Sequence, residues 1–191
     1  MTTKASNKPY RQGVNAIIID KENRFLLIQK HIYKENEWNF PGGGRKEGET
    51  IEENLFRELK EEINAEPSDF EIIGISSYKT KYDYPPELAS KIHGGKYRGQ
   101  SFDQVALRFI GDKRKLIFNP EEFKAHKWVG GDELVNCLVN PNQYQDYKRI
   151  IEELLPGMIE NSIKNSLINQ KDNLLIILVS RAVWIRKKHF C

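Results

Sequence analysis

Three glutamates in one short segment, Glu58, Glu61 and Glu62, have the spacing of metal ligands on a helix. Positions i, i+3 and i+4 share one face, so their carboxylates would lie close together. A divalent cation with oxygen ligands would remove the repulsion between them, and Mg²⁺ or Mn²⁺ suits such a cluster. A solvated, salt-bridged helix is the alternative interpretation, since Arg57 can pair with Glu53 and Glu61.

The helix that carries these glutamates is predicted to begin after Thr50 and to end near Asn64. Thr50 is an N-cap with Glu53 as its capping-box partner, and Asn tolerates the left-handed conformation of a C-cap. At i+3 and i+4, Glu58 is expected to face only other glutamates. Glu62 lies at the edge of an apolar stripe, so its carboxylate should be partly shielded. The stripe consists of Ile51, Leu55, Leu59 and Ile63.

The remaining elements alternate irregularly between strands and helices. "GVNAIIID" and "RFLLIQKH" are predicted to form a hairpin, and "FEIIGISSYKT" and "QVALRFIGD" two further strands, with a long loop over residues 80–100. "YQDYKRIIEELLPGM" has apolar residues at helical spacing. This order predicts an α/β layer fold with a mixed sheet.

The glutamates belong to a longer pattern that starts in the glycine run before the helix. Gly43, five residues, Glu49, seven residues, Arg57-Glu58-Leu59, one residue and Glu61-Glu62 reproduce the Nudix box. The chain therefore resembles the Nudix hydrolases. It departs from their pattern at the end of the box, where Asn64 replaces the usual glycine.

The resemblance implies a fold, a reaction and roles for individual residues. The Nudix fold is a mixed β-sheet sandwiched between helices, and its enzymes cleave a diphosphate bond in nucleotide derivatives with Mg²⁺ or Mn²⁺. By match to the motif, Glu58, Glu61 and Glu62 are metal ligands, and the Gly43 carbonyl often joins them. Glu49 and Arg57 are then expected to brace the loop against the helix.

Further segments resemble the bacterial subgroup of RNA 5′-pyrophosphohydrolases and dinucleoside polyphosphate hydrolases. They are, in chain order, "PYRQGV", "EWNFPGGG", "YDYPPELASKIHGGKYRGQ", "EEFKAHKWV" and "YKRIIEEL". This alignment makes Glu122 the fourth acidic residue to reach the metals and a candidate general base. Glu121 is the alternative, because the doublet leaves the register open by one residue.

The chain also departs from that subgroup at positions that affect substrate binding. Gly42 stands where the subgroup has glutamine, Gln143 and Tyr144 replace a basic pair, and Asp103 lies in a segment that is usually basic and aromatic. Lost cations weaken the grip on a triphosphate or an RNA backbone.

Four residues are candidate substrate contacts: Arg11, Lys96, Arg98 and Tyr147. Arg11 could bind phosphate or be a surface arginine. Lys96 and Arg98 lie in a Tyr/Lys-rich segment whose composition suits base stacking and phosphate attraction, with a solvated loop as the alternative. Tyr147 could line a nucleotide pocket or pack in the core.

Composition and charge are those of a soluble globular chain of 191 residues with a formal net charge of +3. Two cysteines indicate a reducing compartment, and the apolar run "LLIILV" is too short to span a membrane. We therefore expect a cytoplasmic protein without a membrane span, with a Nudix domain over residues 1–155 and an extension over residues 156–191.

Three functional hypotheses follow. The first is a Mg²⁺-dependent pyrophosphohydrolase that acts on a nucleotide 5′-polyphosphate, either an RNA 5′ end or a dinucleoside polyphosphate. The second is a housecleaning hydrolase of small substrates such as ADP-ribose or nucleoside triphosphates. The third is a binding module without turnover, which the intact glutamates disfavour.

Overall fold

The computed structural model describes residues 8–138, 141–168, 170 and 171. The chain in these ranges forms six strands and three helices with assigned bounds, and residues 158–168 are also helical. The strands are β1 (Tyr10–Ile19), β2 (Phe25–Lys30), β3 (Gly42–Gly44), β4 (Phe70–Asp83), β5 (Gly99–Phe109) and β6 (Phe123–Val129). The helices are α1 (Ile51–Ile63), α2 (Leu134–Cys137) and α3 (Pro141–Leu154), with single 3₁₀ turns at Pro67–Asp69, Ile92–Gly95 and Lys113–Lys115.

The sheet has the order β4-β5-β1-β2-β6, with β3 paired to β1 outside this path. β1 runs parallel to β5, from Tyr10 opposite Gly99 to Ile19 opposite Arg108, and the other pairs are antiparallel. The predicted hairpin of β1 and β2 is present, and the mixed sheet is confirmed.

Helices cover both faces of the sheet because β1 and β2 each carry a run of consecutive buried apolar side chains, at residues 16–19 and 25–28. One face buries its side chains against α1, and the other against α2, α3 and residue 159 of the following helix. Strands that are apolar on both faces are typical of a sheet enclosed between helices. The predicted sandwich is therefore confirmed.

Local signals in the sequence explain the ends of α1. Thr50 accepts a hydrogen bond from the Glu53 backbone N–H, and the Glu53 carboxylate accepts one from the Thr50 N–H, so the predicted capping box is present. Asn64 adopts the left-handed conformation at the C-cap, with φ of 54°. The Nudix-box helix therefore survives the loss of the usual glycine.

The predicted loop over residues 80–100 is too long. β4 continues to Asp83 and β5 begins at Gly99, where the two strands pair with each other. Polar residues therefore occupy an exposed edge strand, which tolerates them because β4 pairs on one side only.

The turn between β1 and β2 is organised around the buried carboxylate of Asp20. It accepts hydrogen bonds from the backbone N–H groups of Glu22 and Arg24, from Arg24 Nε at 2.9 Å and from Lys113 Nζ at 2.5 Å. Burial by itself would raise the pKa of Asp20, but these donors outweigh it and lower the pKa.

The segment after α3 remains in contact with the domain over part of its length. Ile159 is buried in the core cluster of α3, and the Ser162 hydroxyl donates to Asp132 Oδ1 at 2.6 Å. Residues 172–191 of the predicted extension lie outside the described ranges. Within those ranges, no helix combines the length and the apolar character needed to cross a membrane.

Candidate active site

A cavity of about 740 Å³ lies beside β3 and extends along the sheet. Side chains from β1, β2, α1, β4, β5 and α3 contribute to its lining, together with the three glycines of β3 and Glu122 from the turn before β6. A volume of this size accommodates a nucleotide-sized ligand.

The deepest carboxylate in the cavity is that of Glu62. Its side chain is 1% exposed, and its Oε2 atom accepts a hydrogen bond from the Gly42 backbone N–H at 2.7 Å. Burial raises the pKa of Glu62 to about 8, although Lys30 and the Gly42 N–H oppose the shift. The partial shielding expected from the apolar stripe is therefore nearly complete.

The carboxylate of Glu58 lies against the backbone of Gly43. A Cβ atom added at Gly43 would lie 2.5 Å from the Glu58 carboxyl carbon, so only glycine leaves room for this approach. Burial raises the pKa of Glu58, while Arg57 acts in the opposite direction. Besides the glutamates at i+3 and i+4, Glu58 contacts the adjacent residue Arg57, whose Nη1 donates to its Oε1 at 2.8 Å.

Arg57 and Glu49 tie the glycine-rich segment to α1. Arg57 Nε and Nη2 donate to the two Glu49 oxygens at 2.5 and 2.9 Å, and Nη2 also donates to the Gly44 carbonyl at 3.1 Å. The bidentate contact lowers the pKa of Glu49 to about 2. The alternative pairing of Arg57 with Glu53 is not formed, because Glu53 bonds Thr50.

Glu61 differs from the other two glutamates of the cluster. Its side chain is 50% exposed and pairs with Arg57 Nη1 at 3.1 Å and with Lys46 Nζ at 3.6 Å. It does not line the cavity.

Glu122 joins the cavity from outside the helix. The turn that carries it is fastened to the end of α1, because the Asn119 N–H donates to the Glu62 carbonyl at 2.9 Å. Electrostatic repulsion by Glu122 contributes to the raised pKa of both Glu58 and Glu62. Glu121 does not line the cavity, so the side chain that the structure brings to the other carboxylates is Glu122.

The sequence interpretation missed Lys30, which ends β2 inside the cavity. Its Nζ atom lies 3.8 Å from Glu62 Oε1 and 5.9 Å from the centre of the Phe123 ring. The signal in the sequence was a lysine at the polar end of a largely apolar strand. The side of the sheet on which this lysine lies depends on the pairing of β2 with β6, which the sequence does not reveal.

Two of the four predicted substrate contacts line the cavity. Arg11 projects from β1 over β3, where its guanidinium occupies the space that a side chain at Gly44 would need. Tyr147 is 1% exposed, and its hydroxyl accepts a hydrogen bond from Asn15 Nδ2 at 2.8 Å and donates one to Asn39 Oδ1 at 3.1 Å. Tyr147 is therefore both a core residue and part of the cavity floor.

The other two, Lys96 and Arg98, do not line the cavity. Lys96 is exposed, whereas Arg98 pairs with Asp83 at 2.7 Å and lies 4.9 Å from the centre of the Tyr10 ring. The Tyr/Lys segment thus presents its cations beside the cavity rather than inside it.

The donor set suits a hard divalent cation, although the part of the chain that is described holds no preformed group of three acidic, histidine or cysteine ligands. Glu58, Glu62 and Glu122 offer carboxylate oxygens around one cavity, and burial, with a smaller contribution from their mutual repulsion, raises the pKa of the two on α1. A cation among them would relieve that repulsion. Glu61 would have to leave Arg57 and Lys46 to join.

Comparison with known proteins places these residues in a family. The family model described as NUDIX domain matches residues 9–154. An RNA pyrophosphohydrolase of Erythrobacter litoralis is 34% identical over 75% of this chain and 90% of its own length. The RNA pyrophosphohydrolase of Sphingopyxis alaskensis is 33% identical over 78% of this chain and 94% of its own length.

Solved structures share the fold at low sequence identity. The Escherichia coli dihydroneopterin triphosphate pyrophosphohydrolase superposes with a TM-score of 0.60 at 18% identity, over 78% of this chain and 99% of that one. A Caenorhabditis elegans Ap4A hydrolase superposes with a TM-score of 0.56 at 16% identity, over 75% and 98%.

Proposed function

The chain belongs to the NUDIX family and is a pyrophosphohydrolase, and we propose that its substrate is a nucleotide 5′-polyphosphate, either an RNA 5′ end or a dinucleoside polyphosphate. The observation that carries the proposal is the composition of one cavity. It brings Glu58, Glu62 and Glu122 together with two cations, Arg11 and Lys30, while the fourth carboxylate of the lining, Asp83, is paired with Arg98. A polyphosphate needs the cations for binding, and its hydrolysis needs carboxylates that can hold a divalent cation and accept a proton from the attacking water.

The carboxylates are proposed to hold Mg²⁺ or Mn²⁺, since Nudix hydrolases generally use divalent metals. A bound divalent ion would stabilise the charge that develops on the phosphoryl oxygens during hydrolysis. Glu58, Glu62 and Glu122 would hold it, with Glu61 and the Gly43 carbonyl as further ligands. Arg57 and Glu49 keep β3 seated on α1, so that Glu58 stays against Gly43.

The chain's own residues supply the remaining chemistry. Glu122 is proposed as the general base that accepts a proton from the attacking water. Lys30 stands at the same carboxylates and can neutralise a phosphate oxygen there, and Arg11 can hold a second phosphate above β3. Hydrolysis breaks one P–O bond of the bridge and forms one bond from phosphorus to the water oxygen.

RNA is the first proposed substrate because this chain matches relatives named RNA pyrophosphohydrolase over nine tenths of their length. A dinucleoside polyphosphate is the second candidate, because Lys96 and Arg98 lie outside the cavity and the cations inside it suffice for a phosphate bridge. The buried free thiol of Cys137 is compatible with the proposed cytoplasmic location.

A substrate panel tests the proposal. The protein is incubated with Mg²⁺ and triphosphorylated RNA, diadenosine tetraphosphate, ADP-ribose or nucleoside triphosphates, and the released phosphate and nucleotides are measured. We expect kcat/KM to be highest for one of the first two. Faster cleavage of ADP-ribose or nucleoside triphosphates would favour the housecleaning function, and binding without any cleavage would favour the binding module.

A further inference from the structure

Asp103 is a buried carboxylate outside the cavity that holds two cations. Its side chain is 5% exposed, and it pairs with Arg45 Nη2 at 2.7 Å and with Lys79 Nζ at 2.8 Å. Val105, two positions further along β5, packs in the cluster of α1, so Asp103 lies on the same face of the sheet. Since Asp103 does not line the cavity, any effect on the reaction has to pass through its partners.

The ion pair between Arg45 and Asp103 crosses β1. Arg45 directly follows β3, and its backbone N–H donates to the Gln12 carbonyl of β1 at 2.9 Å. β3 pairs with one edge of β1 and β5 with the other, so the Arg45 side chain reaches over β1. Among the described residues, Asp103 is the only carboxylate that pairs with Arg45. It therefore joins the end of β3 to the far side of β1.

The strand that Arg45 follows makes the backbone contacts of two glutamates of the site. The Gly42 N–H donates to Glu62 Oε2 at 2.7 Å, and Gly43 lies against the Glu58 carboxylate. A misplacement of about 1 Å in a catalytic constellation costs on the order of 10²-fold in rate. Removing one partner of a buried ion pair leaves an uncompensated charge, so the end of β3 would shift without Asp103.

We propose that Asp103 is a positioning residue for the metal-dependent reaction: through Arg45 it fixes the end of β3, which holds Glu58 and Glu62 in place for the divalent cation. This role rests on the proposed function. Asp103 stands in a segment where a cation is usual, and the pair with Arg45 gives the acidic side chain a use of its own.

The two ion pairs of this one carboxylate supply a matched test. Asp103→Asn and Arg45→Gln each break the link to β3, whereas Lys79→Gln removes the other partner and leaves the link in place. For the wild type and each variant, thermal unfolding establishes that the protein is folded, and Mn²⁺ affinity is measured by calorimetry without substrate. Exchange of the Gly42 amide hydrogen is followed by NMR without metal, and kcat and KM are measured on diadenosine tetraphosphate.

We expect Asp103→Asn and Arg45→Gln to weaken Mn²⁺ binding by about 10-fold, which is the effect of losing a group that orients metal ligands. The Gly42 amide should exchange faster. The value of kcat should fall with little change in KM, because neither Asp103 nor Arg45 lines the cavity. The variant with both substitutions should lose no more than Asp103→Asn alone, and Lys79→Gln should bind Mn²⁺ like the wild type.

Unchanged Mn²⁺ affinity and unchanged Gly42 exchange in Asp103→Asn and Arg45→Gln would overturn the proposal. An equal loss in Lys79→Gln would also overturn it, because the carboxylate would then act on the sheet as a whole rather than through Arg45. A wild type that binds no Mn²⁺ would refute the proposed metal site, and the Gly42 exchange rates would still decide whether Asp103 anchors β3. Neither readout uses a substrate, so a failed substrate panel is distinguishable from a failure of this proposal.

Discussion

Replacing Gly43 with alanine should disable catalysis while leaving the fold intact. The three atoms nearest to the new Cβ would all belong to the Glu58 carboxylate, with the carboxyl carbon at 2.5 Å, whereas ordinary van der Waals contact begins at 3.4 Å. The carboxylate must therefore retreat by about 1 Å, and a misplacement of that size costs on the order of 10²-fold in rate. The backbone at Gly43 is outside the left-handed region, so alanine adds no backbone strain. Stability should be unchanged or higher by up to about 1 kcal/mol.

The assay compares kcat on diadenosine tetraphosphate with Mg²⁺ and the midpoint of thermal unfolding for wild type, Gly43→Ala, Glu58→Ala and the double variant. If Gly43 acts through Glu58, the double variant should be no slower than Glu58→Ala alone. Gly42→Ala is the structural contrast, since its φ of 136° and its approach to the Val14 backbone make alanine destabilising. A kcat for Gly43→Ala within a few-fold of the wild type would refute the reasoning, and so would additive losses in the double variant.

Three other predictions follow from the contacts described above. Glu61→Gln and Glu62→Gln should each lower kcat by about 10²-fold or more with the fold retained, because each removes a charge from the proposed metal site. Activity near that of the wild type in both variants would contradict the metal assignment. Glu122→Gln should lower kcat with little change in KM, whereas Glu121→Gln should do little, and the reverse result in steady-state kinetics would shift the base by one residue. The lowered pKa of Asp20 means that its contribution to stability is present above the pKa of the unfolded chain and is lost as pH falls through the folded pKa. Urea unfolding at neutral and acidic pH should therefore show that acidification lowers the free energy of unfolding less in Asp20→Asn than in the wild type. Equal decreases in the two proteins would contradict this role of Asp20.

Features that depend on neighbouring residues in the chain were predictable. The capping box at Thr50 and the left-handed cap at Asn64 use contacts within a few positions, so the sequence predicted both ends of α1. The Nudix box likewise pointed to Glu58 and Glu62, and both line the cavity.

Features that depend on distant segments were not predictable in the same way. Helical spacing put several carboxylates within reach of Arg57, and only the resemblance to the Nudix hydrolases pointed to Glu49, which comes from the loop before the helix and contacts Arg57. Lys30 and Gln143 meet in one cavity although they are far apart in sequence. The end of β4 was also predicted as a loop, because β4 is an edge strand and its polar residues show no periodic pattern.

The parallel pairing of β1 with β5 constrains the order in which the chain can fold. Tyr10 pairs with Gly99, which lies 99 − 10 = 89 positions later. During synthesis β1 therefore leaves the ribosome long before its partner exists, and closing so long a loop makes folding slow. β3, whose glycines lie against Glu58 and Glu62, pairs with β1. We therefore expect β3 to become ordered late in nascent chains. Until residue 108 has emerged from the ribosome, the apolar β1 segment needs protection from aggregation.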